Sequence, residues 1–99
     1  MSQIPLPPFD LTIAHRWFAA EFNNQAWELI ESGGRSPEDC QRMVHLAHAA
    51  YLHWAAIGSP LNRQRAFDLL AHAYRAAGQQ AVAAEFAEAA YRLSEQAWG

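Results

Sequence analysis

The sequence predicts an all-α protein of four helices in two antiparallel hairpins, arranged as a right-handed stack or as a compact bundle. Alanine, the strongest helix former, supplies 21 of the 99 residues. Apolar side chains recur at steps of three and four residues, the period of one helix face. Pairs at Ser36-Pro37 and Ser59-Pro60 mark helix starts, and glycines at Gly33-Gly34, Gly58 and Gly78 mark helix ends. The predicted helices cover about 10–32, 37–57, 60–77 and 80–97.

The sequence of residues 1–9 predicts an extended, proline-rich arm, which precedes a single helical domain over residues 10–99. Three prolines exclude a helix there and favour a polyproline conformation. We expect the arm to lie across its own domain or a neighbouring subunit. Because aromatic side chains are enriched at interfaces, self-association is assigned to Pro7, Pro8 and Phe9 of the arm together with Trp98.

The first helix is expected to begin after the N-cap Asp10 and to bury one broad apolar stripe. That stripe consists of Leu11, Ala14, Phe18, Phe22, Ala26 and Leu29, broadened by Ile13, Trp17 and Trp27. Trp17, Trp27 and Trp54 are interpreted as core residues. Asn23-Asn24 is a weak point of this helix, because asparagine is a poor helix former.

The second helix has the strongest start signal, since the N-cap Ser36 is followed by proline and then by the acids Glu38 and Asp39. Its main apolar face is Cys40, Met43, Val44, Ala47, Tyr51 and Trp54, and its back face carries Ala49, Leu52 and Ala56. A helix that is apolar on two sides is usually packed on both. We therefore expect it between the first helix and the second hairpin, or against another chain.

The second hairpin turns at Gly78, where a left-handed residue ends the third helix at low cost. Phe67 and Tyr74 of the third helix are expected to interlock with Phe86 of the fourth across this bend. On the outer face, Glu88 and Arg92 form a favourable i,i+4 pair.

The second hairpin resembles one tetratricopeptide (TPR) repeat, about a third of the chain. The matching positions are Phe67, Leu70, Ala71, Tyr74, Gly78, Ala83 and Ala90. Two positions depart from the repeat: Phe86 stands one place before the usual aromatic slot, and Glu95 replaces the closing proline. The stretch from His53 to Asn62 is also similar to uncharacterised bacterial helical proteins, which implies a fold and no activity.

Composition restricts the class of partner and the compartment. The net charge of −3 includes no basic block, so no nucleic-acid partner is expected. The single Cys40 fits a reducing compartment, and no apolar run suggests a membrane span or a signal peptide. All seven basic residues are arginine, which with the alanine content fits a GC-rich bacterial genome. The expected location is the cytoplasm.

Four polar residues share one face of the third helix, at steps of three, four and three: Arg65, Asp68, His72 and Arg75. The TPR resemblance implies that such positions line a concave surface and clamp acidic or carboxylate-bearing peptides. Arginine suits this role because its planar guanidinium binds carboxylates bidentately. The alternative is a solvent-facing surface in which Asp68 and His72 form an i,i+4 pair.

The sequence therefore predicts a non-enzymatic interaction or scaffold protein that binds an acidic protein or peptide, forms a homodimer and needs no cofactor. Ser59 and Ser94 have no histidine at a spacing typical of nucleophilic catalysis, and Cys40 falls on the apolar stripe, where a buried thiol is the ordinary interpretation. The competing hypothesis is a bundle that binds a metal or a small molecule on the face of His45 and His48, with His15 as a further ligand.

Overall fold

The computed structural model describes residues 5–98 and the side chains of residues 5–96, and it consists of four α-helices. They are α1 (Leu11–Glu31), α2 (Pro37–Ile57), α3 (Pro60–Ala76) and α4 (Gln80–Trp98). Residues 5–98 contain no β-strand, so the predicted all-α class is confirmed. Residues 1–4 of the predicted arm and the side chain of Trp98 lie outside the described residues.

Side chains cap the starts of the first three helices. The Oδ1 of Asp10 accepts a hydrogen bond from the amide of Ile13 at 2.9 Å. Ser36 and Asp39 form a reciprocal capping box, with both bonds at 3.1 Å. The Ser59 hydroxyl accepts from the amide of Asn62 at 3.5 Å. These contacts satisfy amides that have no partner within the helix, and they confirm the predicted N-caps.

The turn between α3 and α4 follows from the left-handed conformation of Gly78, whose φ is +82°. The amide of Gln79 donates to the carbonyl of Tyr74 at 2.9 Å, and the amide of Gly78 donates to the carbonyl of Arg75 at 3.0 Å. This pair of bonds satisfies carbonyls at the end of α3 and reverses the chain. The predicted bend at Gly78 is confirmed.

The core lies where α2 packs against both α1 and α3. Its members are Ala26 of α1, Met43, Leu46, Ala47 and Ala50 of α2, and Leu69, Leu70 and Ala73 of α3. Four of the eight are alanines, whose small side chains let the helix axes approach closely. The placement of the second helix between the first helix and the second hairpin is therefore confirmed.

Stacked aromatic rings join α4 to the rest of the protein. The ring centroid of Phe86 lies 5.5 Å from that of Tyr74 and 6.1 Å from that of Phe67, in near-parallel planes. The ring centroid of Tyr51 of α2 lies 5.2 Å from that of Phe67. The expected interlock of Phe67, Tyr74 and Phe86 is present, and it continues into α2.

Several expected burials are wrong. Trp17, interpreted as a core residue, is 59% exposed, and Leu52 on the back face of α2 is 66% exposed. The other members of the predicted stripes that stay exposed are Leu11, Ile13 and Phe18 of α1 and Ala56 of α2. Trp17 and its neighbours on α1 stay exposed because α3 packs beside the C-terminal half of α1, where Trp27 contacts His72. In the described part of the chain, no helix covers the outer face of the N-terminal half of α1.

Arg35 links the C-terminal ends of two helices. Its Nη1 donates to the carbonyls of Leu29, Ile30 and Ser32 at 3.1, 3.0 and 2.6 Å, and its Nη2 donates to the carbonyl of Ala76 at 3.2 Å. A cation is favourable at a helix C-terminus, where carbonyls lack helical partners. The guanidinium therefore joins the end of α1 to the end of α3.

Replacing Arg35 by lysine is expected to lower the free energy of unfolding by about 2 kcal/mol, because one ammonium cannot reach both helix ends and hydrogen bonds to charged groups contribute about 1.5–3 kcal/mol. Chemical denaturation followed by circular dichroism measures the change. Arg63→Lys is the matched control, since Arg63 is exposed, and it should change stability by less than about 0.5 kcal/mol. Equal effects from the two variants would show that the Arg35 contacts add nothing.

The substitution Gly78→Ala is expected to cost roughly 1–2 kcal/mol, because an L-residue is strained in the left-handed region. A Cβ at Gly78 would meet no atom within 4 Å, so the cost comes from the backbone alone. Gly33 has equally open surroundings and no positive φ, and Gly33→Ala should be neutral or slightly stabilising. Denaturation midpoints test the pair, and a neutral Gly78→Ala would contradict the assigned turn.

Candidate functional site

A groove runs between α1 and α3, with α2 contributing to its lining. It has a volume of about 280 Å³ and is lined by Asn23 and Trp27 of α1, Trp54 of α2, and Arg65 and Asp68 of α3. Both indoles are half-buried, whereas Arg65 and Asp68 are exposed. We call these five residues the α1–α3 groove.

Helical spacing explains how the groove is assembled. Asn23 and Trp27 are one turn apart on α1, and Arg65, Asp68 and His72 follow one another on α3 at three- and four-residue steps. The rings of Trp27 and His72 lie 5.0 Å apart, which fixes α1 beside α3. The same contact continues the groove's polar edge as far as His72.

The structure brings together three of the four residues predicted to bind a partner. Arg65 and Asp68 line the groove, and His72 borders it, with its Nε2 3.7 Å from the Oδ2 of Asp68. Arg75 is exposed one turn further along α3 and does not line the groove. The Asp68–His72 pair expected from the alternative interpretation is also present.

Sequence reasoning missed the other side of the groove. Trp27 and Trp54 were both interpreted as core residues, and Asn23 only as a weak point in the helix. The i,i+4 spacing of Asn23 and Trp27 places these two residues on one face of α1. No local pattern in the sequence predicts that this face lies beside Arg65. The one available signal was a polar residue, Asn23, one helical turn from a tryptophan.

The groove combines a positive charge with apolar walls. Among the described residues, nothing forms a hydrogen bond or an ion pair with the Arg65 guanidinium. The Asp68 carboxylate, in contrast, has His72 as its neighbour. The arrangement suits a ligand that presents an anionic group to Arg65 and an apolar group to the indoles.

The histidines of the competing hypothesis do not lie in one cluster. The Nδ1 of His15 lies 2.9 Å from the Nδ1 of His53, and the Nε2 of His48 lies 2.7 Å from the hydroxyl of Tyr74. His45 is exposed and borders two surface recesses, and His48 lines neither of them. Within residues 5–98, no group of three or more His, Cys, Asp and Glu side chains is placed to hold a metal ion.

Two histidines have lowered pKa values. Burial lowers the pKa of His53, and the neighbouring His15 lowers it further. Burial likewise lowers the pKa of His48, with a smaller contribution from His45. A bond between two Nδ1 atoms also needs one ring without a proton at that atom, so the His15–His53 contact requires a neutral imidazole.

Comparison of the chain with protein-family models, with curated proteins and with solved structures gave no match. In the part of the chain from residue 5 to residue 98, no helix has both the length and the apolar character needed to cross a membrane.

Lowering the pH from about 7.5 to 5 is expected to reduce the free energy of unfolding. The unfolded chain binds protons at the ordinary histidine pKa of about 6.5, whereas His53 and His48 bind them at lower pH in the folded protein. The free energy of unfolding is therefore highest above about pH 6.5. It falls as the pH is lowered below this value, because the unfolded chain then binds more protons than the folded protein.

Urea denaturation at a series of pH values tests this expectation. The variant His53→Gln should show a shallower loss of stability than the wild type, and the double variant with His48→Gln should be shallower again. If His53→Gln lost stability with pH as steeply as the wild type, the assigned pKa shift would be wrong.

Proposed function

We propose that this protein is a non-enzymatic interaction module that binds an acidic or carboxylate-terminated peptide in the α1–α3 groove. The observation that carries the proposal is the Arg65 guanidinium, which has no partner among the described residues and stands in a groove with two indole rings. A buried or paired arginine would be structural. An uncommitted one beside apolar rings is available to a ligand.

The size of the groove favours a peptide segment over a whole small molecule. Its volume of about 280 Å³ falls just below the roughly 300–1,000 Å³ of ligand pockets. It is open to solvent along α1 and α3 and can receive one or two side chains of an extended peptide. The Oδ1 of Asn23 can accept a hydrogen bond from the backbone of such a peptide, and its Nδ2, which donates to the Oδ1 of Asn24 at 3.3 Å, has a second proton to donate.

The charges in the groove would select for a single carboxylate. Arg65 binds it as a bidentate pair, while Asp68 on the same helix repels a second negative group. When His72 is protonated it offsets the charge of Asp68, 3.7 Å away. The ligand is therefore a peptide with one anionic group next to an aromatic or aliphatic side chain.

We further propose that the two hairpins are arranged as in a TPR-like stack, and the order of helix contacts supports this. Helix α1 packs on α2, α2 on α3 and α3 on α4, and α1 also contacts α3. The first helices of the two hairpins thus lie side by side and form the groove. A cytoplasmic location belongs to the same proposal, since the single Cys40 is a free thiol.

A synthetic peptide array tests the proposed function. Octapeptides ending in a free carboxylate, each paired with its amidated counterpart, would be probed with the purified full chain. We expect binding to a subset with an apolar residue beside the carboxylate. Arg65→Ala should weaken it by about 10- to 100-fold, the equivalent of a lost charge-assisted pair.

Arg63→Ala is the matched control, because Arg63 is an exposed arginine on the same helix but does not line the groove. Trp27→Ala should also weaken binding, and circular dichroism would establish that each variant remains helical. No binding by any peptide, or equal binding by the Arg65→Ala and wild-type proteins, would refute the proposed function.

A further inference from the structure

The N-terminal half of α1 exposes an apolar face. Ile13 is 68% exposed, Trp17 59%, Phe9 58%, Leu11 51% and Phe18 39%. At about 100° per residue, the four helical members fall within a sector of roughly 160°. The face is therefore continuous along the helix. We call these five residues the α1 apolar surface.

The α1 apolar surface contains a recess almost free of charge. The recess has a volume of about 440 Å³, and its lining includes Ala14 and Asp10 as well as members of the surface. Asp10 is its one charged residue, and Asp10 accepts the hydrogen bond that caps α1. A partner recognised through ion pairs would find no free charge here.

We propose that the α1 apolar surface is the interface of a homodimer, in which the α1 helices of two copies cross antiparallel about a two-fold axis. Taking roughly 150–250 Å² for each aromatic side chain, the exposed parts of the five residues amount to on the order of 500 Å². A stable interface buries roughly 800 Å² per partner, about 65% of it apolar in homodimers. The apolar area of the surface matches that requirement.

A second copy fits the surface because the surface is complementary to itself. It carries both a projecting indole, Trp17, and a recess around Ala14, the one small side chain on this face. A two-fold axis near Ala14 brings Trp17 of each copy to the recess of the other. The antiparallel arrangement also keeps the two Asp10 carboxylates at opposite ends and aligns the helix dipoles favourably.

The dimer interface is separate from the groove of the proposed function. The groove uses Asn23 and Trp27 from the C-terminal half of α1, whereas the α1 apolar surface ends at Phe18. The acidic peptides expected in the groove would not compete for the dimer interface, because the Asp10 carboxylate beside the recess would repel them. Each copy of the dimer therefore keeps a free groove.

Sedimentation equilibrium of the full chain, from low micromolar to sub-millimolar concentration, tests the dimer. The wild type is expected to dimerise. High salt should not raise the dissociation constant of the dimer, because salt screens charges and not apolar contacts. Trp17→Glu should raise the dissociation constant by at least ~30-fold, the effect of losing a central aromatic residue.

The matched control is Tyr91→Glu, because Tyr91 is an aromatic residue of α4 with 62% exposure, close to that of Trp17. It should leave the dissociation constant unchanged. If Trp17→Glu loses helicity, Ile13→Glu provides the same test at another exposed position. A wild type that stays monomeric overturns the proposal. So does a result in which Trp17→Glu and Tyr91→Glu raise the dissociation constant of the dimer equally.

Discussion

The contact of Arg35 with two helix ends sets the relative position of α1 and α3. Its guanidinium bonds to carbonyls at the end of α1 and to the carbonyl of Ala76 at the end of α3. The two helices therefore run in the same direction with their C-terminal ends level. One turn back from these ends Trp27 meets His72, and one turn further Asn23 and Asp68 line the same groove. Arg35 therefore acts together with the Trp27–His72 contact to set the register of the candidate site.

Local features of the fold could be predicted from the sequence because their causes are local. Ser36 with Asp39, and Gly78 with its positive φ, act within a few residues of themselves. The exposure of Trp17 could not be predicted, because it depends on which half of α1 packs against α3. Arg35 was missed for the same reason, since its partner Ala76 is 41 residues away.

The candidate site shows the same division between local and distant causes. Helical spacing was enough to place Arg65, Asp68 and His72 on one edge, because they belong to one helix. The indoles opposite come from two other helices, and their spacing contains no information about α3. His15 and His53 are 38 residues apart and meet only because α1 and α2 are antiparallel. For these contacts the topology had to be known first.

Helix α4 lies at the edge of the protein, and its main contacts are with α3 alone. The buried residues of the central core include none from α4, whose own buried residues are Ala83, Ala90 and Leu93. Phe86 of α4 packs against the edge of this core and contacts His48 of α2. A helix supported mainly by one neighbour unfolds locally before the rest and exchanges its amide hydrogens first. The lining of the groove comes from α1, α2 and α3, so an opening of α4 removes no side chain from the binding surface.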